Sequence, residues 1–221
     1  ISTTITFTLA GSIFPVAIDF FFFLMIITIS TPMGSVDQPF NAVSVALGAE
    51  ATFVARTHDM DRKHMQETFR RAHEHRGSSL VEIFQNCNVF NDGAFAQITK
   101  KDKRDSMLIQ LTHGEPIRFG EDNEFGVISN SQGNAEIVKV ADVGEPALII
   151  HDENCEDPSL AFAISRISSG PYEPTPVGVF REVQRPEYAS VVNQQIDVAR
   201  SQQGSGDISD LLNSQPTWEV A

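Results

Sequence analysis

"ATFVARTHDMDRKHMQETFRRAHEHRGSSLVEIF", residues 51–84, decides the fold class. Its first part, "ATFVART" (51–57), is rich in β-branched and aromatic residues and reads as a strand. Asp59 or Asp61 can cap a helix running to about Arg76, in which Met65, Phe69 and Ala72 recur at i, i+4 and i+7 and so share a face. Gly77 offers the left-handed C′ position that ends such a helix. "SSLVEIF" (78–84) is then a second strand. Strand, helix of about 15 residues and strand form a right-handed βαβ crossover, which needs parallel pairing. The expected class is α/β with a parallel sheet. In such sheets functional groups gather in the loops beyond the carboxyl ends of the strands. Cys87, in "QNCNVFND" (85–92), falls at that position.

Upstream, "NAVSVALGAE" (41–50) reads as a short helix begun by Asn41 and closed near Gly48, after a turn-rich "TPMGSVDQPF" (31–40). Before that, residues 13–29, "IFPVAIDFFFFLMIITI", are almost wholly apolar, although Pro15 and Asp19 interrupt them. The run is just short of the roughly 18 residues that signal a spanning helix. No Lys or Arg precedes Arg56, so a signal peptide's charged start and an anchor's positive flank are both missing. Three readings of 1–29 stand side by side: a membrane-spanning helix, a buried strand or helix, or a segment foreign to the fold. The composition change at Ser30 favours the last.

Downstream, "FAQITKKDKRD" (95–105) is a charged, exposed stretch, and residues 106–140 alternate short apolar runs with Gly, Asn and Pro turns, as a small antiparallel meander does. "PALIIHDENCEDPSLAFAISRI" (146–167) reads as a buried strand, a loop, and a helix beginning near Asp157 or Pro158 with Leu160, Ala163, Ile164 and Ile167 inward. "SSGPYEPTPVG" (168–178) reads as a proline-rich extended connection. "PEYASVVNQQIDVARSQ" (186–202) reads as one more helix with Pro186 in its first turn. The tail from 204 carries Ile208, Leu211, Leu212 and the lone Trp218. No internal repeat is present.

A net charge of -13 and a pI near 4.8 argue against nucleic acid as a partner. Two cysteines in 221 residues form no disulfide framework, so a reducing compartment, the cytoplasm, is the simpler reading. His58, His64, His73 and His75 lie close to Cys87 in sequence and raise the question of zinc. On a helix, however, His73 and His75 would point about 160 degrees apart, unlike the i, i+4 pair of a helical zinc site, and "RRAHEHR" reads instead as a solvated basic face. G-x-S-x-G, G-x-x-x-x-G-K-[ST] and G-x-G-x-x-G are all absent. Cys155, in "HDENCEDPS", is flanked by Glu153, Glu156 and Asp157, which disfavour a thiolate. From its placement Cys87 is a buried free thiol, a nucleophile, or one ligand of a cluster. A metal role thus rests on Cys87 alone, and a [4Fe-4S] centre needs four ligands.

"STPMGSVDQPFN", "ALGAEATFVART", "LVEIFQNCNVFNDG", "HGEPIRFG" and "EDPSLAFAISRI" carry a resemblance that runs, in order, from about Ser30 to the end of the chain. The sequence resembles the β subunit of 2-oxoacid:ferredoxin oxidoreductases, most closely the 2-oxoglutarate enzymes. The resemblance implies oxidative decarboxylation of a 2-oxoacid to acyl-CoA, with thiamine diphosphate and Mg²⁺ forming the carbanion and a [4Fe-4S] cluster passing its electrons to ferredoxin. It implies an α subunit, ferredoxin, the 2-oxoacid and coenzyme A as partners, with neither nucleic acid nor a membrane among them. It implies that Cys87 stands where the family's fourth cluster ligand stands, three earlier cysteines supplying the others. It implies domains as follows: 30–92 as the C-terminal part of the thiamine-diphosphate-binding domain, 93–203 as a mixed α+β extension, and 204–221 as a tail, with 1–29 as an anomalous apolar segment. The departures are specific. The family's G-D-G motif for magnesium and diphosphate is absent, and so are the three earlier cysteines, so no catalytic or cofactor-binding residue is assigned and this chain by itself is not expected to be active.

Overall fold

The structure is a computed structural model that describes residues 40–89, 92–167, 173–216 and 218 in full, and the backbone alone of 4–9 and 12–16. Most of the run 13–29 therefore lies outside the described residues, as does "TPMGSVDQP". The backbone of β1 (Thr4–Leu9) pairs antiparallel with that of β2 (Ser12–Val16). Among the described residues no helix is long and apolar enough to cross a membrane.

Asn41 starts α1 (Ala42–Gly48) as its cap: its side-chain oxygen accepts from the Ser44 N–H. The expected crossover follows. β3 (Phe53–His58) and β4 (Ser79–Phe84) pair in parallel from Phe53↔Ser79 to His58↔Phe84, joined by α2 (Arg62–Glu74). Asp61, the second of the two candidate caps, accepts from the His64 N–H at 3.0 Å. α2 stops sooner than its pattern suggests. His75 closes it in an extended conformation, and Gly77 sits beyond with φ +148 rather than in the left-handed C′ position. Glycine is favoured there both by that positive φ and by room, since a Cβ would lie 2.3 Å from the Thr52 hydroxyl.

The charged stretch after Gly93 folds into two single turns, α3 (Ala96–Thr99) and α4 (Arg104–Met107). The meander comprises β6 (Arg118–Phe119), β7 (Phe125–Ser129) and β8 (Ala135–Lys139), antiparallel in that order, after β5 (Leu108–Gln110) has joined the larger sheet. Two short turns follow, α5 (Val140–Val143) and a 3₁₀ turn at Glu145–Ala147. Residues expected as a buried strand, Leu148 and Ile149, are buried in irregular backbone with only a bridge from Pro116 to Ile150. α6 (Ser159–Ser165) starts after Pro158 as expected, and Ile164 is its most buried apolar residue.

The largest departure is β9 (Thr175–Glu182), an eight-residue strand that begins inside the proline-rich connection. It lies between β3, to which it is antiparallel, and β5, to which it is parallel, in a six-stranded sheet ordered β2-β1-β4-β3-β9-β5. The sheet is therefore mixed, with parallel pairs at β3/β4 and β5/β9. Its two faces are covered differently. Val54, Leu80, Ile109 and Phe180 pack on one side against α1, α6 and the meander through Val43, Leu47, Ile164, Ile117 and Val127. Phe53, Ala55, Val81 and Val179 pack on the other against Ala72 and Phe69 of α2. β3 is buried at every position, as befits a strand covered on both faces.

Residues 186–221 form a second compact unit. It holds α7 (Tyr188–Gln203), which has no buried residue, and α8 (Ile208–Leu212). Glu187 caps α7, so Pro186 precedes the helix rather than opening its first turn.

Candidate functional site

The carboxyl ends of β3 and β4 bring polar groups together as the parallel topology requires. Beyond β4, Asn86 organises the loop that carries Cys87. Its amide nitrogen donates to Asn88 Oδ1 at 2.7 Å and Asp92 Oδ1 at 2.8 Å, and its Oδ1 accepts from the Gly93 N–H at 2.8 Å. The Asn86 N–H reaches Asp59 Oδ2 at 3.3 Å, and the Asp59 N–H bonds to the Phe84 carbonyl, which ties this loop to the one after β3. Cys87 is half-buried and in no disulfide. Next to Asp59 stands His58, 4% exposed, whose Nδ1 has no hydrogen-bond partner among the described residues. His64 shares a 2.8 Å hydrogen bond with the Thr57 hydroxyl.

Burial sets the protonation of both imidazoles. It holds the pKa of His58 below the ordinary value, against the pull of Asp61 and Asp59 and with some help from the positive charge of Arg104. Burial likewise lowers that of His64, against Asp61. Asp61 is held low chiefly by the N–H bond it accepts from His64. The edge thus offers two neutral imidazoles, three carboxylates and one thiol.

Only part of the histidine set converges there. His73 is exposed on α2. His75 lies at the far end of the crossover, 6% exposed, hydrogen-bonded to Thr52 at 2.8 Å and tilted against the Phe53 ring. "RRAHEHR" is accordingly not a wholly solvated face: Arg71 turns inward to Glu153 at 2.8 Å and to Glu182. Among the described residues no group of three metal-ligating side chains forms. Cys155 sits apart, in a loop lining a small recess with His151, Asp157 and Ile164.

Two arginines escaped the sequence reading. Arg56 of β3 and Glu82 of β4 stand opposite each other in register and pair at 2.5 Å, with side chains 3% and 0% exposed. The Arg56 guanidinium also lies over the rings of Phe84 and Phe180 and donates to the Pro176 carbonyl at 3.2 Å. Arg181, 1% exposed, donates to the carbonyls of Ala51 and Glu156. For Arg56 and Glu82 a lone charge inside an apolar run was the available signal, because such a residue survives burial only with a partner.

No family model matches the chain. Among curated proteins, it is 45% identical over 196 residues to the 2-oxoglutarate oxidoreductase subunit KorB of Mycobacterium tuberculosis, an alignment covering 88% of this chain and 52% of that one. It is 33% identical over 91 residues to a 2-oxoacid:ferredoxin oxidoreductase subunit beta of Sulfolobus sp, covering 40% of this chain and 28% of that one. Among solved structures, a 2-oxoglutarate:ferredoxin oxidoreductase of Magnetococcus marinus, with 2-oxoglutarate, coenzyme A and succinyl-CoA bound, aligns with a TM-score of 0.48 at 20% identity, covering 85% of this chain and 48% of that one. The chain spans about half the length of the mycobacterial relative.

Proposed function

We propose that this chain, a homologue of 2-oxoacid:ferredoxin oxidoreductase β subunits over most of its length, works as part of such a subunit. The reaction is oxidative decarboxylation of a 2-oxoacid to its acyl-CoA, with ferredoxin as electron acceptor and an α subunit completing the enzyme. The observation that carries this reading is the 45% identity over 196 residues to the mycobacterial subunit, and that relative's name favours 2-oxoglutarate as the 2-oxoacid. On the same reading, residues 30–92 belong to the thiamine-diphosphate-binding domain and 93–203 to the extension that follows it.

The cofactors of the assembly are then thiamine diphosphate with Mg²⁺, a [4Fe-4S] cluster and coenzyme A. This chain's residues do not fit the cluster alone. It contains two cysteines, and Cys155 lies in a different loop from Cys87, with carboxylates beside it. Cys87 can supply one thiolate of four, and the remainder must come from other residues. What this chain contributes by itself is the stiff parallel pair β3/β4 and the Asn86-braced loop that would hold Cys87 in place.

The experiment is co-expression with the α subunit of the same organism. A stoichiometric complex on gel filtration, together with reduction of methyl viologen that depends on 2-oxoglutarate and coenzyme A, is the expected result. Failure of the two chains to associate overturns the reading. The composition change at Ser30 favours a second reading, a homologue that keeps the fold and the α-subunit contact without turnover. Association with no viologen reduction under any loading condition would support it.

A further inference from the structure

Six arginines are ion-paired with glutamates, and one exposed turn gathers lysines that, among the described residues, are not. Arg56, Arg70, Arg71, Arg118, Arg181 and Arg185 each meet a glutamate. Three of the five lysines, Lys100, Lys101 and Lys103, fall within four positions and are followed by Arg104, in a chain of net charge -13. All four are exposed, and no carboxylate pairs with any of the three lysines among the described residues. Among the described residues the Arg104 side chain pairs with its neighbour Asp105, at 3.2 Å. Counting Asp102 and Asp105 against the four cations, residues 100–105 carry a local charge of +2.

The turn is firmly seated. The N–H groups of Lys103 and Arg104 both donate to the Lys100 carbonyl, and the Gly120 N–H donates to that of Asp105. On its inner side Phe95 and Ile98 pack with Ala94 and Phe84, joined by Met107 and Leu108. The Phe95 ring stacks on Phe84 at 4.6 Å. Because Phe84 is the last residue of β4, this packing sets the cations at the same sheet edge as the Cys87 loop.

We propose that Lys100, Lys101, Lys103 and Arg104 form the docking surface for an acidic protein. Resting on the function proposed above, that partner is ferredoxin. A protein is favoured over nucleic acid or an anionic membrane because those extended polyanions are opposed by the whole molecule's negative charge. A protein's local acidic patch instead meets the cations within a Debye length of about 8 Å.

The test is binding of a purified acidic [4Fe-4S] ferredoxin to the full chain at low and high ionic strength. The wild type is compared with the variant K100E/K101E/K103E and with K139E, an exposed reversal in the meander. Expected are salt-sensitive binding by wild type and K139E, and a loss of at least about tenfold in the triple variant at low salt that narrows as salt rises. Near-UV circular dichroism checks that the variant keeps its fold. No wild-type binding, equal binding by the triple variant, or lysine-dependent binding to phosphatidylglycerol vesicles or duplex DNA in place of ferredoxin overturns the proposal. Ferredoxin failing to bind while the α subunit still associates sinks the docking surface alone. Ferredoxin binding without α-subunit association sinks the functional reading alone.

Discussion

Arg56 and Glu82 show how a charged pair is held where β3 and β4 allow no water. Removing one member leaves a buried charge, so Arg56→Met should cost about 3–5 kcal/mol in urea unfolding, whereas the double change R56M/E82L should regain most of it. If the double variant is as unstable as the single, the pair is needed for more than neutralisation. Four imidazoles, three buried and one half-buried, make a second residue-level prediction. His58, His64, His75 and His151 all have pKa values lowered, each chiefly by burial. The unfolded chain then binds protons first as pH falls below about 6.5, so the stability these groups provide is full above that pH and is lost as pH drops toward their folded values. The melting midpoint should fall between pH 7.5 and 5.5, and His151→Gln, which removes the Nε2 donor to the Val179 carbonyl, should flatten that fall. A midpoint unchanged over the interval would contradict the assignment. In the sequence both features were visible as residue types but not as partners. Nothing in "FVART" and "LVEIF" fixes the register that sets Arg56 beside Glu82.

At the scale of elements, α2 and β9 mark what was legible and what was not. The βαβ unit could be read because its signals are local: β-branched runs, an Asp cap and a 3.6-residue apolar face. Asp61→Ala should therefore destabilise by about 1 kcal/mol, the usual worth of a side-chain cap, with Asp59→Ala costing less, as chemical unfolding can compare. β9 was hidden because Pro176 argues against an interior strand. The structure removes the conflict: pairing with β3 begins at Gly178↔Arg56, so Pro176 lies where only β5 is paired. Gly178 has φ +134, and a Cβ there would come within 2.8 Å of the Leu111 carbonyl oxygen. Gly178→Ala should cost more than about 2 kcal/mol, combining backbone strain with a clash against main chain that cannot swing aside. The register also slips between Val54 and Ala55, giving Phe180 no opposite residue, a bulge that no sequence pattern announced.

The molecule as a whole divides at Arg185 into a layered unit with its own core and a helical unit, 186–221, whose long helix buries nothing. Trypsin should accordingly cut first after Arg200, before Arg56 in β3 or Arg181 in β9, and mass spectrometry of early fragments checks the order. The proposed functional class rests on similarity alone, since the sheet edge presents polar groups that suit many chemistries. Cys87 was placed correctly in the fold by strand order alone, yet nothing in the geometry of its loop distinguishes a cluster ligand from a half-buried thiol. The position of β9 has one more consequence, for the chain during synthesis. The Arg56 guanidinium and the Pro176 carbonyl that closes over it are separated by 120 residues. At translation rates of about 5–20 residues per second, β3 has only β4 on one flank for roughly 6–24 seconds before its other neighbour has been made. During that interval a strand destined to be buried at every position presents an open row of backbone donors and acceptors, the kind of edge that recruits another nascent chain. Yield in the cell should then depend on how well that edge is shielded by chaperones while the last third of the protein is still being made.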